Sequence, residues 1–460
     1  MTSDGSPSNA RPLTSGATPI QVAADLAPLL DFQADGMHAD DLTALIHTRL
    51  LPHLMDYGSP TFQSMFNAAP AADALLGAQI ALAHNQGVTN WQVSPGGAML
   101  EELTGRALCR LFGLADSADA TFMYSGTYAN QEALYLALHR HAERRGFNLA
   151  EEGLAGFAEP RRLLVLTSQD AHFSVKHAVR MLGLGERNLR LLPVDANRRI
   201  DVDHARALVE QLAVDHEIVC IVATAGTTST GAVDPIAPLA ELAAQHGAWL
   251  HVDGAYGYAY KLVPDWAPLF AGDDQADSIT WDPHKQLGVP IPNSLLFVRR
   301  RQDFARMALF SGYFNRADDP MPNPGIKSPP STRPMSALPL VTALRGRGLT
   351  SISADLRAPL AAMRELAGWM RTLPDVDLCH TPDTGILCFR ITPPGRSRAA
   401  LAELPRTLYT RIMDEGTRTV SITTLDGDTV LRLVSVSPTT TVDDLRATVE
   451  ALRRMAEREE

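Results

Sequence analysis

No stretch of the 460-residue chain strings together the apolar residues, about 18 of them, that a bilayer-spanning helix needs. No membrane association is expected. Cysteine is scarce as well: Cys109, Cys220, Cys379 and Cys388 are the full complement, and no pair has CxxC or metal-ligand spacing. A disulfide scaffold and a structural metal are therefore excluded, and reduced core thiols of a cytoplasmic protein are expected. Positive charge is in deficit, with a formal net charge of -11 that argues against nucleic acid as a partner. The opening MTSDGSPSNARPLTSGATP lacks a positive segment followed by an apolar core, so residues 1–18 read as a disordered tail rather than a secretion signal. There is no internal repeat.

What remains is an ordinary soluble composition on a chain long enough for two or three substructures. Alanine-rich helical patterns such as DLTALIHTRLLPHL and AADALLGAQIALAH fill residues 19–90, a helical N-terminal arm. Over residues 91–335 short β-branched runs (RRLLVLTS, EIVCIVATA, AWLHVDGA, DSITW, NSLLFVRR) alternate with helical stretches, which predicts a large α/β domain with a mostly parallel sheet. That domain ends in a proline-rich loop, 311–335. Residues 336–460 hold helices and the strand patterns GILCFRIT and TVLRLVSVS, and form a small C-terminal α/β domain with a last helix at about 441–458.

Ligands of parallel sheets bind where strands run out into loops. Every expected strand end here carries small or polar residues: Ser125-Gly126-Thr127, Asp170-Ala171-His172, Gly226-Thr227-Thr228, Asp253-Gly254-Ala255 and Asp282-Pro283-His284-Lys285. The first opens a helix and offers hydroxyls and N–H groups to an anion, or simply caps the helix. His172 is either a helix cap or a ring that stacks on a flat ligand. Asp253 emerges from an apolar strand and needs a positive partner, an ordinary Arg or Lys or a protonated pyridine nitrogen. Ala255 is small enough to let a ring lie flat. Lys285 either reaches out to water or uses its amine chemically. An amine near an anion turn, an aspartate and a histidine suits a Schiff base with pyridoxal 5'-phosphate (PLP), whose ring serves as an electron sink.

Together, HVDGAYG and DSITWDPHKQLGVP resemble the group II PLP-dependent amino-acid decarboxylases, the family of the aromatic-amino-acid and glutamate decarboxylases. SPGGAMLEE, SGTYANQEAL, DAHFSVKHAVRMLG, TAGTTSTGAVDPI and VLRLVSVSPTTTVDDL follow in family order over roughly residues 55–455. The resemblance implies the type I, aspartate-aminotransferase-like fold and a homodimer acting on an L-amino acid. It implies Lys285 as the lysine that carries PLP, Asp253 on the ring nitrogen, and His172 and Ala255 on the two ring faces. Ser125, Gly126 and Thr127 would hold the phosphate, with Asp282, His284 and Thr228 close by, and Arg432 would lie near the substrate carboxylate. Tyr313, in the loop, matches the tyrosine that returns a proton to Cα; the alternative is a core aromatic at the base of the loop.

Asp282 departs from the asparagine common in the family, and GSPTFQSMFNAAP matches the family's substrate block only loosely. Phe62, Met65 and Phe66 in that block point to an apolar or aromatic substrate, or are core residues of the arm. Other PLP reactions on the same scaffold (an aldehyde synthase, a C–C lyase, a transaminase) and a non-catalytic scaffold protein are the rival readings.

Overall fold

The computed structural model describes residues 12–312 and 315–458. Seven strands, β1 (Asp119–Met123), β2 (Leu163–Ser168), β3 (Leu189–Leu192), β4 (Glu217–Thr224), β5 (Trp249–Asp253), β6 (Ser278–Trp281) and β7 (Ser294–Val298), form one sheet in the order β1-β7-β6-β5-β4-β2-β3. β2 to β6 pair in parallel, whereas β7 runs antiparallel to both β6 and β1. Strands β1, β2, β5, β6 and β7 are buried along their whole length, as expected when helices cover both faces. On one face Leu134 and Leu138 of the helix Gly126–Arg144 pack with Val165, Val222, Trp249 and Leu296. On the other, Leu239 and Leu242 of the helix Ile236–Gln245 pack with Leu250 and Val252. The parallel strands therefore all deliver their carboxyl ends to one edge of the sheet, where the loops carrying the candidate residues lie.

The C-terminal sheet is antiparallel, in the order β10-β11-β9-β8, from β8 (Val376–Leu378), β9 (Ile386–Ile391), β10 (Ser421–Leu425) and β11 (Asp428–Val434). Asp426 and Gly427 join β10 to β11 with φ of 51° and 91°, the two positive values that a tight hairpin turn requires. The last helix, Val442–Glu457, packs with the helix Arg398–Glu415 over Phe389 and Leu433.

Large and small sheets are joined by the helix Ala337–Met370, which breaks at Gly348 (φ 74°). Its first part lies so close to the arm helix Ala72–His84 that a Cβ on Gly77 would sit 2.8 Å from the Leu338 carbonyl oxygen. The earlier arm helices, Pro19–Leu26 and Ala39–Arg49, bury no residue, yet ahead of them Leu13 is buried and its N–H donates to Gly416 O at 2.9 Å. Within the tail expected over residues 1–18, residues 1–11 lie outside the described residues.

The proline-rich loop 311–335 is tied to the segment 88–91 by backbone hydrogen bonds. Val88 N donates to Arg333 O (2.8 Å), Trp91 N to Pro322 O (2.9 Å) and Gly325 N to Thr89 O (2.8 Å). Backbone pairing replaces the apolar contacts that its composition lacks. Among the described residues no helix is long and apolar enough to cross a membrane.

Phe389 is fully buried at the centre of the small-domain core. Phe389→Ala is expected to cost about 3–5 kcal/mol. The check is the unfolding midpoint in denaturant, with the cofactor absorbance retained below it.

Candidate active site

Strand alternation places Trp249, His251 and Asp253 on one face of β5, and the register pairs His251 with Ser278 and Asp253 with Thr280 of β6. These side chains form a single directed hydrogen-bond chain. Trp249 Nε1 donates to Ser278 Oγ (2.8 Å), and Ser278 Oγ to His251 Nδ1 (2.8 Å). His251 Nε2 and Thr280 Oγ1 both donate to Asn130 Oδ1 (3.0 and 2.8 Å). Asn130 Nδ2 then donates to Asp253 Oδ2 and to Ser174 Oγ, each at 2.8 Å. Because Asn130 turns its donor end to the Asp253 carboxylate, its Oδ1 faces His251 Nε2, which fixes the His251 proton there and leaves Nδ1 to accept from Ser278. Burial pushes the His251 ring down to about 4, so it stays neutral and the chain keeps its direction.

Asp253 ends this chain at the wall of a cavity of about 280 Å3. Ser125, Gly126, Thr127, His172, Thr228, Ala255, Asp282, His284, Lys285 and Phe66 line the same cavity. Ser125 caps the helix Gly126–Arg144, its Oγ accepting from Tyr128 N at 3.3 Å, so that helix's N-terminal N–H groups face the cavity. Gly126 has to be glycine: a Cβ would meet Asp282 Oδ2 at 2.8 Å and the Ala255 Cβ at 3.1 Å. His172 caps the helix Phe173–Met181, its Nδ1 accepting from Ser174 N at 3.2 Å, which leaves the proton on Nε2. Burial lowers its pKa, against the nearby Asp253 carboxylate and with the nearby Lys285 ammonium.

Lys285 sits on the single helical turn Pro283–Gln286 that follows β6. Its Nζ is 3.4 Å from Asp282 Oδ2 and 5.6 Å from the centre of the Phe66 ring. His284 Nδ1 donates to Asn293 O (2.7 Å), and burial lowers its pKa too. Asp282 Oδ1 and Thr224 Oγ1, both buried at the cavity, have no hydrogen-bond partner among the described residues.

Phe62 and Arg432 lie elsewhere. Phe62 does not line the cavity; its ring packs on Tyr57 at 5.0 Å and its backbone bridges to Thr419, so it joins the arm to the small domain. Arg432, on β11, stands behind the cavity wall. Its guanidinium donates to Ser421 Oγ (2.7 Å), Thr228 O (2.6 Å) and Ser64 O (3.0 Å), and no carboxylate pairs with it among the described residues. Burial lowers its pKa. Tyr313 lies outside the described residues.

Sequence reading missed Asn130, Ser174, Thr224, His251, Tyr256 and Thr280. The signal was available for two of them: His251 precedes Asp253 by two residues in a strand, and Thr280 precedes Asp282 by two.

Residues 24–392 match the family model described as the pyridoxal-dependent decarboxylase conserved domain. The chain belongs to this family. It is 32% identical over 412 residues to an L-2,4-diaminobutyrate decarboxylase of Rhizobium meliloti (strain 1021), covering 88% of this chain and 80% of that one. An aromatic-L-amino-acid decarboxylase of Bacillus atrophaeus is 26% identical, covering 80% and 75%. Among solved structures, Oryza sativa TDC with PLP and tryptamine superposes with a TM-score of 0.88 at 23% identity, covering 97% of this chain and 93% of that one. The glutamate decarboxylase domain of a Vibrio parahaemolyticus protein gives 0.85, also at 23% identity, over 98% and 92%. The fold is thus the type I PLP fold expected from the sequence, and the chain is a PLP-dependent amino-acid decarboxylase.

The cavity fits that cofactor: the space a Gly126 Cβ would fill, a helix N-terminus, a lysine, and a buried carboxylate all open onto it.

Asn130→Ala removes a charge-assisted donor from Asp253 and should lower kcat by about ten- to a hundredfold. The pH dependence of stability provides a second check. His251 is neutral in the fold down to about 4, whereas unfolded histidine takes its proton near 6.5. The unfolded state therefore binds more protons between these values, so His251 contributes stability above about 6.5 that is lost as pH falls towards 4. The gap in unfolding midpoint between wild type and His251→Gln should shrink from pH 7 to pH 4.5; a gap that stays constant contradicts a neutral buried ring.

Proposed function

We propose that the chain converts an L-amino acid with an apolar or aromatic side chain to the corresponding amine and CO2. The observation that carries this reading is the convergence of Lys285, Asp253, His172 and the Gly126 cradle on one cavity beside the Phe66 ring. When bound, PLP supplies a sink for the electron pair left as the Cα–carboxylate bond breaks.

The protein's own groups do the rest. Lys285 would hold the cofactor through its amine, with Asp282 as its counter-ion until then. Asp253, itself kept an acceptor by Asn130, would hold a proton at the ring nitrogen. His172 and Ala255 would flank the ring, while Ser125, Gly126 and Thr127 would bind the phosphate at the helix N-terminus. Arg432 is a buried cation whose partners among the described residues, carbonyls, a hydroxyl and the Met65 thioether, are all neutral, which supports a role in attracting the substrate carboxylate. Tyr313 would return the proton to Cα from the loop.

Phe66 supports an apolar or aromatic side chain: its ring lies 4.8 Å from Tyr256 and takes Lys285 and Arg432 at 5.6 and 5.5 Å. A second reading, 2,4-diaminobutyrate, is favoured by the Rhizobium meliloti relative. Two copies would pair through the N-terminal arm, where Ile20, on a helix that buries no residue, is 83% exposed and Phe32, just beyond the turn Ala27–Leu30, is 88% exposed. A monomer in sedimentation would end that proposal. Buried, unpaired thiols at Cys109, Cys220 and Cys388 suit the reducing cytoplasm.

A panel of amino acids assayed for CO2, amine, aldehyde and peroxide tests the reaction and its substrate together. Amine from tryptophan or phenylalanine is expected, and preference for glutamate or aspartate would overturn the side-chain reading. Borohydride reduction and peptide mapping should place the pyridoxyl group on Lys285 and on no other lysine. Tyr313→Phe keeps the ring and deletes the proton donor; amine formation should drop at least tenfold with aldehyde appearing, and an unchanged amine rate would assign the proton to another group.

A further inference from the structure

The turn that carries His172 to the cavity is anchored from outside the large sheet. Among the described residues, every hydrogen bond by which a side chain of residues 168–171 leaves this turn ends on Arg198 or Asp426. Arg198 meets the Asp170 carboxylate with two parallel bonds, Nε to Oδ2 and Nη2 to Oδ1, each 2.8 Å. Its Nη1 donates to Asp426 Oδ2 at 2.7 Å, and Asp426 Oδ1 accepts from Gln169 Nε2 at 3.3 Å. Gln169 and Asp170 are neighbours in the chain, so the four side chains close a ring. Asp426 lies in the turn between β10 and β11, so the ring spans both domains.

The backbone at both ends of this ring is unusual. Asp195 N donates to Arg199 O (2.8 Å) around a turn in which Arg198 has φ 66°. Asp426, its partner, has φ 51°. Side-chain-bearing residues rarely adopt left-handed backbone, and one held there points to a task for its side chain. Here two such residues bond to each other across the domain boundary. The Arg198 and Asp170 side chains are only 7% and 8% exposed, so their fork escapes the screening that weakens surface pairs. The turn beyond Asp170 is tight, with Ala171 N donating to Ser168 O at 3.0 Å. Fixing Asp170 therefore fixes the residue two places on, which is His172.

We propose that Arg198 is a positioning residue for the decarboxylation: through its fork with Asp170 it sets the placement of His172 in the cavity. The proposal rests on the reading above that His172 flanks the cofactor ring. A shift of about 1 Å in such a group can cost roughly a hundredfold in rate, which is why a residue outside the cavity would matter to the chemistry.

The neighbouring residue supplies the control. Arg199 makes the same kind of fork, with Asp383 between β8 and β9, but Asp383 bonds to no residue of the His172 turn.

The test compares PLP-saturated wild type with Arg198→Gln, Asp170→Asn, Arg199→Gln and His172→Asn. Three quantities are read: circular dichroism in the cofactor absorbance band, kcat on the amino acid that wild type decarboxylates fastest, and Tm. Arg198→Gln and Asp170→Asn should each change the cofactor dichroism and lower kcat by about tenfold or more. Their combination should lose no more than the worse single variant, because both break one contact. Arg199→Gln should lower Tm by a similar amount while leaving the dichroism and kcat at their wild-type values. Asp170→Asn keeps the shape of the turn and the Arg198–Asp426 pair, so it carries the test should Arg198→Gln fail to fold. Equal losses in Arg198→Gln and Arg199→Gln would reduce Arg198 to a structural role and overturn the proposal, as would losses that add in the double variant. His172→Asn separates the two readings. Unchanged dichroism and kcat in that variant would overturn both, whereas a change there beside wild-type values in Arg198→Gln would overturn the proposal alone.

Discussion

A carboxylate at the end of a buried strand can work only if something keeps it oriented and accepting. For Asp253 that task falls to the Asn130 amide, whose donor end is turned towards it because its acceptor end is occupied by His251 and Thr280. The amide cannot flip without setting its oxygen against the Asp253 carboxylate, and His251 cannot change tautomer without losing its bond to Asn130. The direction is set at Asp253, whose carboxylate accepts from the Asn130 amide. Much of the large domain serves this chain. Parallel pairing of β5 and β6 supplies the cross-strand partners, and the helix Gly126–Arg144 carries both Asn130 and the anion-facing turn. One helix thus links the carboxylate end of the cavity to its anion end.

The architecture was largely legible because it depends on local pattern. Short β-branched runs became buried strands, and polar residues at their carboxyl ends met in one cavity, since a parallel sheet gives them no other place to go. The antiparallel insertion of β7 between β1 and β6 was not legible: a fully buried run reads the same in either direction. Nor was the pairing of 322–333 with residues 88–91, which uses backbone groups that side-chain identity does not encode. Phe62 and Phe66 look alike in sequence, four residues apart, yet one seals the arm against the small domain and the other enters the cavity. Tertiary contact alone separates them.

Asp282 is the residue whose presence looked least compatible with an anion site. Its Oδ2 has the Lys285 ammonium at 3.4 Å, so the carboxylate carries its own positive neighbour. Gly126 completes the accommodation, since any side chain there would collide with Asp282. The acid, the lysine and the glycine form one packing unit, and an asparagine would keep the shape while giving up the attraction to Lys285.

Arg432 shows how the small domain takes part in a cavity it does not line. From β11 its guanidinium reaches Ser421 in its own sheet, Thr228 O in the turn after β4 and Ser64 O in the arm. One cation therefore ties together all three parts of the chain, through donors that diverge within a single plane. A lysine ammonium could keep the charge but could not span those directions, so the geometry demands arginine. The partners are neutral, which leaves the full charge uncompensated at 5% exposure. Buried cations are costly unless an anion shares the site. Among the described residues no anion shares this site, so the guanidinium links the small domain, the Thr228 turn and the arm through neutral partners.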